Sequence, residues 1–228
     1  MARRIGVLGG ISHESTMRYY GLIHEKYYQR RGNYHYPEVV IFSLDFQRFT
    51  DLEARGDADG YIEYIMEGIR SLEKAGADFI VMAANSPHSV FEEVEEMCRV
   101  PMISIVEATA ERAEREGMRT LLLTGIKFTM QSTFYQDVFR RRRIEVVTPS
   151  DEEQEEINSI IFGELVLGVF REESRRRLLE IVESRDVDGV ILGCTELPLI
   201  ISQEDTNVRL LDTVEIHVDA ALELSLSP

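Results

Sequence analysis

The chain has 228 residues, 44% hydrophobic and 29% charged, which suffices for one large core or two smaller ones. With 41 acidic against 25 basic residues its formal net charge is -16, opposing nucleic acid and anionic membrane as partners, so a site for a small anion needs a local basic or amide-lined pocket. No run approaches the apolar length of a membrane span, and Arg3-Arg4 leads directly into an apolar strand without a signal-peptide pattern, so a cytoplasmic location is expected. The two cysteines, Cys98 and Cys194, have neither a disulfide framework nor metal-ligand spacing, and no metal is expected.

In chain order, strand-like apolar runs lie at Ile5 to Leu8, Val39 to Leu44, Phe79 to Ala83, Met102 to Ile105, Thr120 to Leu123, Ile144 to Val147, Gly189 to Leu192 and Val208 to Leu211. Helical spacing of apolar residues, with charged opposite faces, predicts helices over Glu14 to Arg31, Asp59 to Lys74, Val106 to Glu116, Phe128 to Arg141, Glu153 to Leu167, Glu172 to Ser184 and Thr213 to Leu226. Strands alternating with helices argue for an α/β protein with parallel sheets.

The chain also repeats itself. Asp78-Phe-Ile-Val-Met-Ala-Ala84-Asn85-Ser86 matches Asp188-Gly-Val-Ile-Leu-Gly-Cys194-Thr195-Glu196 position for position, and each half opens on a strand ending in a glycine turn, Gly9-Gly10 and Gly125. Two similar α/β lobes follow, the first formed by residues 1–106 with 208–228 and the second by 107–207. In open parallel sheets ligands bind beyond the carboxyl ends of the strands, so a site shared in the cleft between the lobes would draw on both tips. Cys194 occupies one tip and Ala84 the equivalent place on the other.

A thiol at the start of a helix feels the positive end of the helix dipole, which favours a reactive thiolate at Cys194. Asn85-Ser86-Pro87-His88 reads as a second helix start, with Asn85 or Ser86 as the cap and backbone amides suited to a carboxylate. Gly9 to Thr16 makes a glycine turn followed by a capping pattern, and matches neither a dinucleotide fingerprint nor a P-loop. His217 follows Asp212 on the last helix, where it is either a packed core histidine or a group that poises a nearby thiol. Cys98, late in a helix, reads as core.

The segments Gly9-Gly10-Ile-Ser12-His-Glu14-Ser15-Thr16, Ala84-Asn85-Ser86-Pro-His88, Thr124-Gly125-Ile-Lys127-Phe-Thr129-Met130, Gly193-Cys194-Thr195-Glu196-Leu197-Pro198 and Asp212-Thr213-Val-Glu-Ile-His217 together resemble the aspartate/glutamate racemase family over essentially the whole chain. That resemblance implies two pseudo-symmetric Rossmann-like lobes with parallel sheets and a cofactor-independent racemase without pyridoxal phosphate, usually a homodimer, with one cysteine serving each face of the substrate α-carbon. It implies that Asn85, Ser86 and Thr195 hold the α-carboxylate and that Ser12 and Thr129 line the pocket. Glu14 would support the ammonium, and Arg48 would read the side-chain carboxylate of a small anionic amino acid or dicarboxylate. Glu196 belongs to the substrate-binding set, with Lys127 and His217 in support. The chain departs from the family at Ala84, where the first cysteine belongs. The expectation is a racemase using Cys194 on one face, with Ser86, His88 or a water on the other. A one-cysteine decarboxylase-like carbon-acid enzyme and a non-catalytic dicarboxylate binder are the alternatives.

Overall fold

The computed structural model describes residues 2–227, and the chain divides into two compact units. The first runs to Ile105 and resumes at His217, and the second is Val106–Ile216.

In the first unit the order is β1 (Ile5–Gly9), α1 (His13–Arg31), β2 (Val39–Ser43), α2 (Phe46–Arg55), α3 (Ala58–Lys74), β3 (Phe79–Met82), a 3-10 turn (Ser86–Val90), α4 (Phe91–Met97) and β4 (Met102–Ile103). All strands are parallel, in the order β2-β1-β3-β4. Central β1 and β3 are fully buried, as continuous apolar runs in parallel sheets require, whereas edge strand β2 is partly exposed. On α1 the buried residues Ser15, Tyr19, Ile23 and Tyr27 recur every four positions, and on α3 Tyr61, Tyr64, Ile65, Ile69 and Leu72 form the stripe that meets the sheet. Each large apolar side chain among them, such as Ile23, Ile65, Ile69 and Leu72, contributes roughly 1.5–3 kcal/mol on burial.

The second unit repeats the plan. It contains α5 (Ile105–Arg115, entering from the first unit), β5 (Thr120–Thr124), α6 (Lys127–Gln131), α7 (Phe134–Arg141), β6 (Glu145–Val147), α8 (Asp151–Gly163), α9 (Glu172–Glu183), β7 (Gly189–Leu192), β8 (Leu210–Asp212) and the start of α10 (Thr213–Leu226). Its parallel order β6-β5-β7-β8 is the first sheet's order restated. The aspartates that open the sequence repeat have the same structural task in both units. The Asp78 carboxylate accepts from the Arg4 amide at 2.6 Å, and the Asp188 carboxylate accepts from the Arg119 and Thr120 amides at 2.6 and 2.9 Å, setting the register of β3 on β1 and of β7 on β5. Those amides also hold the Asp188 carboxyl below its ordinary range.

Four expectations are corrected. The strand expected from Val208, assigned with the rest of 208–228 to the first lobe, is β8 and pairs with β7 in the second sheet; the first-unit segment begins only at His217, inside α10. The second sheet needs β8 because it pairs the backbone N–H and C=O groups that β7 would otherwise leave open along its edge from Val190 to Leu192. The continuous helix expected over Phe128 to Arg141 is two, because the Ser132 hydroxyl bonds back to the Phe128 carbonyl at 2.6 Å and Ser132 turns extended. The helix expected to Leu167 ends at Gly163 and gives way to a 3-10 turn, Leu165–Leu167, closed by Gly168 in the left-handed region. Helix α2 was unforeseen; Asp45 caps it, accepting from the Arg48 amide at 2.9 Å.

Candidate functional site

Each sheet reverses its strand order beside its first strand, so the carboxyl ends of β1 and β3, and of β5 and β7, flank a topological switch point. Ser12, Ala84, Asn85 and Ser86 lie just beyond β1 and β3, and Thr129, Cys194, Thr195 and Glu196 just beyond β5 and β7, each set within its own unit.

In the second unit the β5 and β7 tips touch. The Gly193 amide donates to the Thr124 carbonyl at 2.7 Å; a Cβ on Gly193 would lie 2.7 Å from that same carbonyl, and one on Gly125 would lie 2.9 Å from the Gly193 carbonyl. Only glycine fits either position. Thr129 packs against both, is 1% exposed, and its Oγ1 has no hydrogen-bond partner among the described residues. A buried hydroxyl so placed is a natural ligand contact.

Next in the chain stands Cys194, buried, with its Sγ donating to Glu196 Oε2 at 3.0 Å. The Thr195 hydroxyl donates to the same oxygen at 2.8 Å. The expected helix start is corrected here, since Cys194 is followed only by a three-residue 3-10 turn, Leu197–Leu199, too short to carry an appreciable dipole. Burial first, then the negative Glu196 beside it, pushes the thiol well above its usual value, outweighing the Thr195 and Glu196 amides that favour the anion. At rest Cys194 is therefore a protonated thiol with a carboxylate already bonded to its proton. Lys127, on α6, turns outward, its ammonium pairing with Glu155 at 2.6 Å on the exposed side of α8 while its amide donates to Asn158.

In the first unit Ser12 caps α1, accepting from the Ser15 amide, and the Ser15 hydroxyl donates to the Ala83 carbonyl, tying α1 to the β3 tip. Glu14 is half-exposed and lies 3.0 Å from His13. The Arg48 guanidinium, on α2, lies 3.8 Å above the Tyr64 ring and pairs with both Glu67 oxygens at 3.3 Å. Ala84 is 5% exposed and packs into the first core with Tyr61 and Leu44. The helix start expected at Asn85-Ser86 is a five-residue 3-10 turn without a side-chain cap bond, because Asn85 is itself helical rather than extended.

His88 and His217 are both buried and fully engaged. His88 Nε2 accepts from the Ile105 amide at 3.1 Å, so its Nδ1 carries the hydrogen donated to the Ala84 carbonyl at 3.0 Å. His217 Nε2 faces the Ile103 carbonyl at 2.8 Å, which makes it the N–H, and Nδ1 accepts from the Tyr19 hydroxyl at 2.8 Å. Burial holds both neutral; His217 is lowered to about 4, and His88, with His217 against it, is pushed well below the usual histidine value. Neither ring has a nitrogen left for a substrate proton.

Sequence reasoning passed over Glu53 and Tyr61. The Tyr61 hydroxyl donates to Glu53 Oε1 at 3.2 Å. Burial raises the Glu53 carboxyl above its ordinary value, while hydrogen bonding pulls it back. The available signal was a carboxylate on the apolar stripe of α2, four residues after Phe49 and beside Leu52.

With this geometry in view, comparison with known proteins is informative. The family profile described as Asp/Glu/Hydantoin racemase matches residues 8–221. A broad-specificity amino-acid racemase of Bacillus subtilis is 27% identical over 214 residues, 92% of each chain. Among solved structures, an Asp/Glu racemase homologue from Yersinia pestis is 34% identical with a TM-score of 0.91, covering 99% of this chain and all of that one. An aspartate racemase homologue from Pyrococcus horikoshii OT3 is 39% identical with a TM-score of 0.86, covering both chains completely.

Proposed function

Because this chain belongs to the Asp/Glu/Hydantoin racemase family, we propose that it is an amino-acid racemase acting on small anionic amino acids without pyridoxal phosphate, with Cys194 as the acid/base on one face of Cα. The observation that carries the reading is the Cys194 thiol at the β7 tip, 3.0 Å from Glu196 and beside the unpartnered Thr129 hydroxyl.

The α-hydrogen of an amino acid is a very weak acid, so its removal demands donors prearranged around the carboxylate where charge develops. Asn85, the main chain of Ser86, Thr195 and Thr129 are suited to that task. Cys194 returns a proton to Cα when it starts as the thiol. For the enantiomer whose hydrogen faces it, Cys194 first passes its own proton to the bonded Glu196 carboxylate and then accepts from carbon as the thiolate. Arg48 supplies the cation for a side-chain carboxylate, in exchange for its pairing with Glu67. The reading includes a cytoplasmic homodimer; sedimentation of the purified protein tests the dimer.

Proton NMR in D2O with L- and D-aspartate and L- and D-glutamate tests the chemistry. Loss of the Cα signal that disappears in Cys194→Ala supports the assignment, and four unchanged substrates would sink it. A decarboxylase-like reading is favoured by the single tip thiol, Ala84 being the other tip; carbon dioxide release from disubstituted malonates would bring it forward.

A further inference from the structure

The racemase reading makes no use of the tyrosines at the end of α1 and in the segment after it. Helix α1 leaves the β1 tip, where Ser12 caps it, and Tyr28 near its far end stands roughly 24 Å along the axis from that cap. Gly32, in the left-handed region, ends the helix, and the chain then doubles back. Asn33 fixes the reversal, its side-chain oxygen accepting from the Tyr27 hydroxyl and from the His35 amide, both at 3.1 Å. Tyr34 and Tyr36 are thereby laid against α1.

The rings form walls of different direction. Tyr34 stacks on Tyr28 with ring centres 5.4 Å apart, and Tyr36 stands steeply to Tyr34 and to His24, at 6.2 and 4.9 Å with planes inclined by 75° and 64°. With Glu25 these four rings line a hollow of about 400 Å³, a size suited to a small molecule. All three tyrosines are exposed, Tyr34 by 76%, so the rings are assembled by the fold without being consumed by its core.

The charge of the lining selects the ligand. Aromatic faces carry the negative side of the ring quadrupole and attract cations. Glu25 adds a carboxylate, of which one oxygen is engaged by Gln29 at 3.1 Å. No lysine or arginine lines the hollow, and Lys26 and Arg30 of the same helix are drawn to Asp219 on α10, at 3.2 and 2.6 Å. The net charge of -16 favours a cation at long range as well. We propose that this hollow binds a small molecule bearing a quaternary ammonium group, with its methyl groups against Tyr28, Tyr34 and Tyr36 and its charge balanced by Glu25. A quaternary head suits such walls better than a primary ammonium, whose three donors hold their water strongly. The site lies wholly within the first unit and is independent of the racemase reading.

The test uses the full-length protein with choline and with its neutral isostere, in which carbon replaces nitrogen, at one ionic strength. Proton NMR follows the methyl singlet, which the rings shift upfield and which receives saturation from tyrosine protons in the bound state. Choline should bind ~5-fold or more tightly than the isostere. Tyr34→Ala, at an exposed ring, should weaken choline by ~5-fold or more without moving the thermal midpoint, and Glu25→Gln should narrow the preference for choline while leaving the isostere unchanged. Equal affinity for the two ligands overturns the proposal, as does choline binding that survives both substitutions. A trimethyllysine peptide that binds ~10-fold more tightly than choline overturns it too, because the partner is then a protein. Sedimentation covers the last case: if choline fails to bind and Tyr34→Ala dissociates a wild-type dimer, the rings are an interface between copies and the proposal falls.

Discussion

Cys194 is held as a thiol by burial and by the carboxylate two residues along, and these two causes can be separated. Glu196→Gln removes the negative charge while keeping the size, so the Cys194 thiol should fall toward its ordinary value and its alkylation at pH 8 should quicken by ~3-fold or more. An unchanged alkylation rate would mean that burial alone sets the thiol. Arg48 illustrates the converse case. Its charge is shared between Glu67 and the face of the buried Tyr64 ring, and because the Arg48 and Glu67 side chains are themselves half-open to solvent the pairing is worth little and yields readily to a stronger anion. The motif residues Ser12, Asn85, Ser86, Thr129, Thr195 and Cys194 were legible because their spacing in the repeat and at strand ends is a local property. Glu53 was not legible as the partner of Tyr61, because the two lie on separate helices, α2 and α3, and meet only when those helices pack.

At the scale of elements, the end of β4 is clamped by two histidines of opposite polarity, His88 accepting from the Ile105 amide and His217 donating to the Ile103 carbonyl. Both bonds suit neutral rings, since a proton on His88 Nε2 would face an N–H and a proton on His217 Nδ1 would face the Tyr19 hydroxyl that donates to it. The folded state therefore depresses both histidines relative to an unfolded value near ~6.5, and the unfolded chain binds more protons below that pH. Stability is then complete above the unfolded value and is lost as pH falls from ~6.5 toward the folded one, about 4 for His217. From pH 7 to pH 5, His217 alone should remove about 2 kcal/mol from the unfolding free energy, read as a lower urea midpoint. A flat midpoint across that window would show that the rings are not held neutral. The helices whose ends depart from the pattern, at Ser132 and at Gly163, do so for reasons written in side-chain hydrogen bonding and glycine rather than in periodicity, which is why periodicity ran through them.

At the scale of the whole molecule, two similar units carry separate cores in a chain of formal net charge -16. Most of its ion pairs are exposed and individually weak, so long-range repulsion among the excess carboxylates outweighs their screening. Raising sodium chloride from ~20 to ~200 mM should therefore raise the thermal midpoint by ~2–5 °C, and a fall would show that the ion pairs dominate. The sequence by itself determined the α/β class, the internal duplication, most of the elements and the two tips, because each follows from apolar periodicity, glycine turns and position-by-position similarity along the chain. It misassigned β8 because an isolated apolar run does not state which strand edge it covers; that is decided by where the exposed edge of β7 lies. Only the tertiary structure decided that Cys194 is a thiol rather than a thiolate, that His88 and His217 are neutral clamps, and that Glu53 bonds Tyr61. Protonation and proton sharing depend on burial and on partners distant in sequence, and these exist only once the chain has folded.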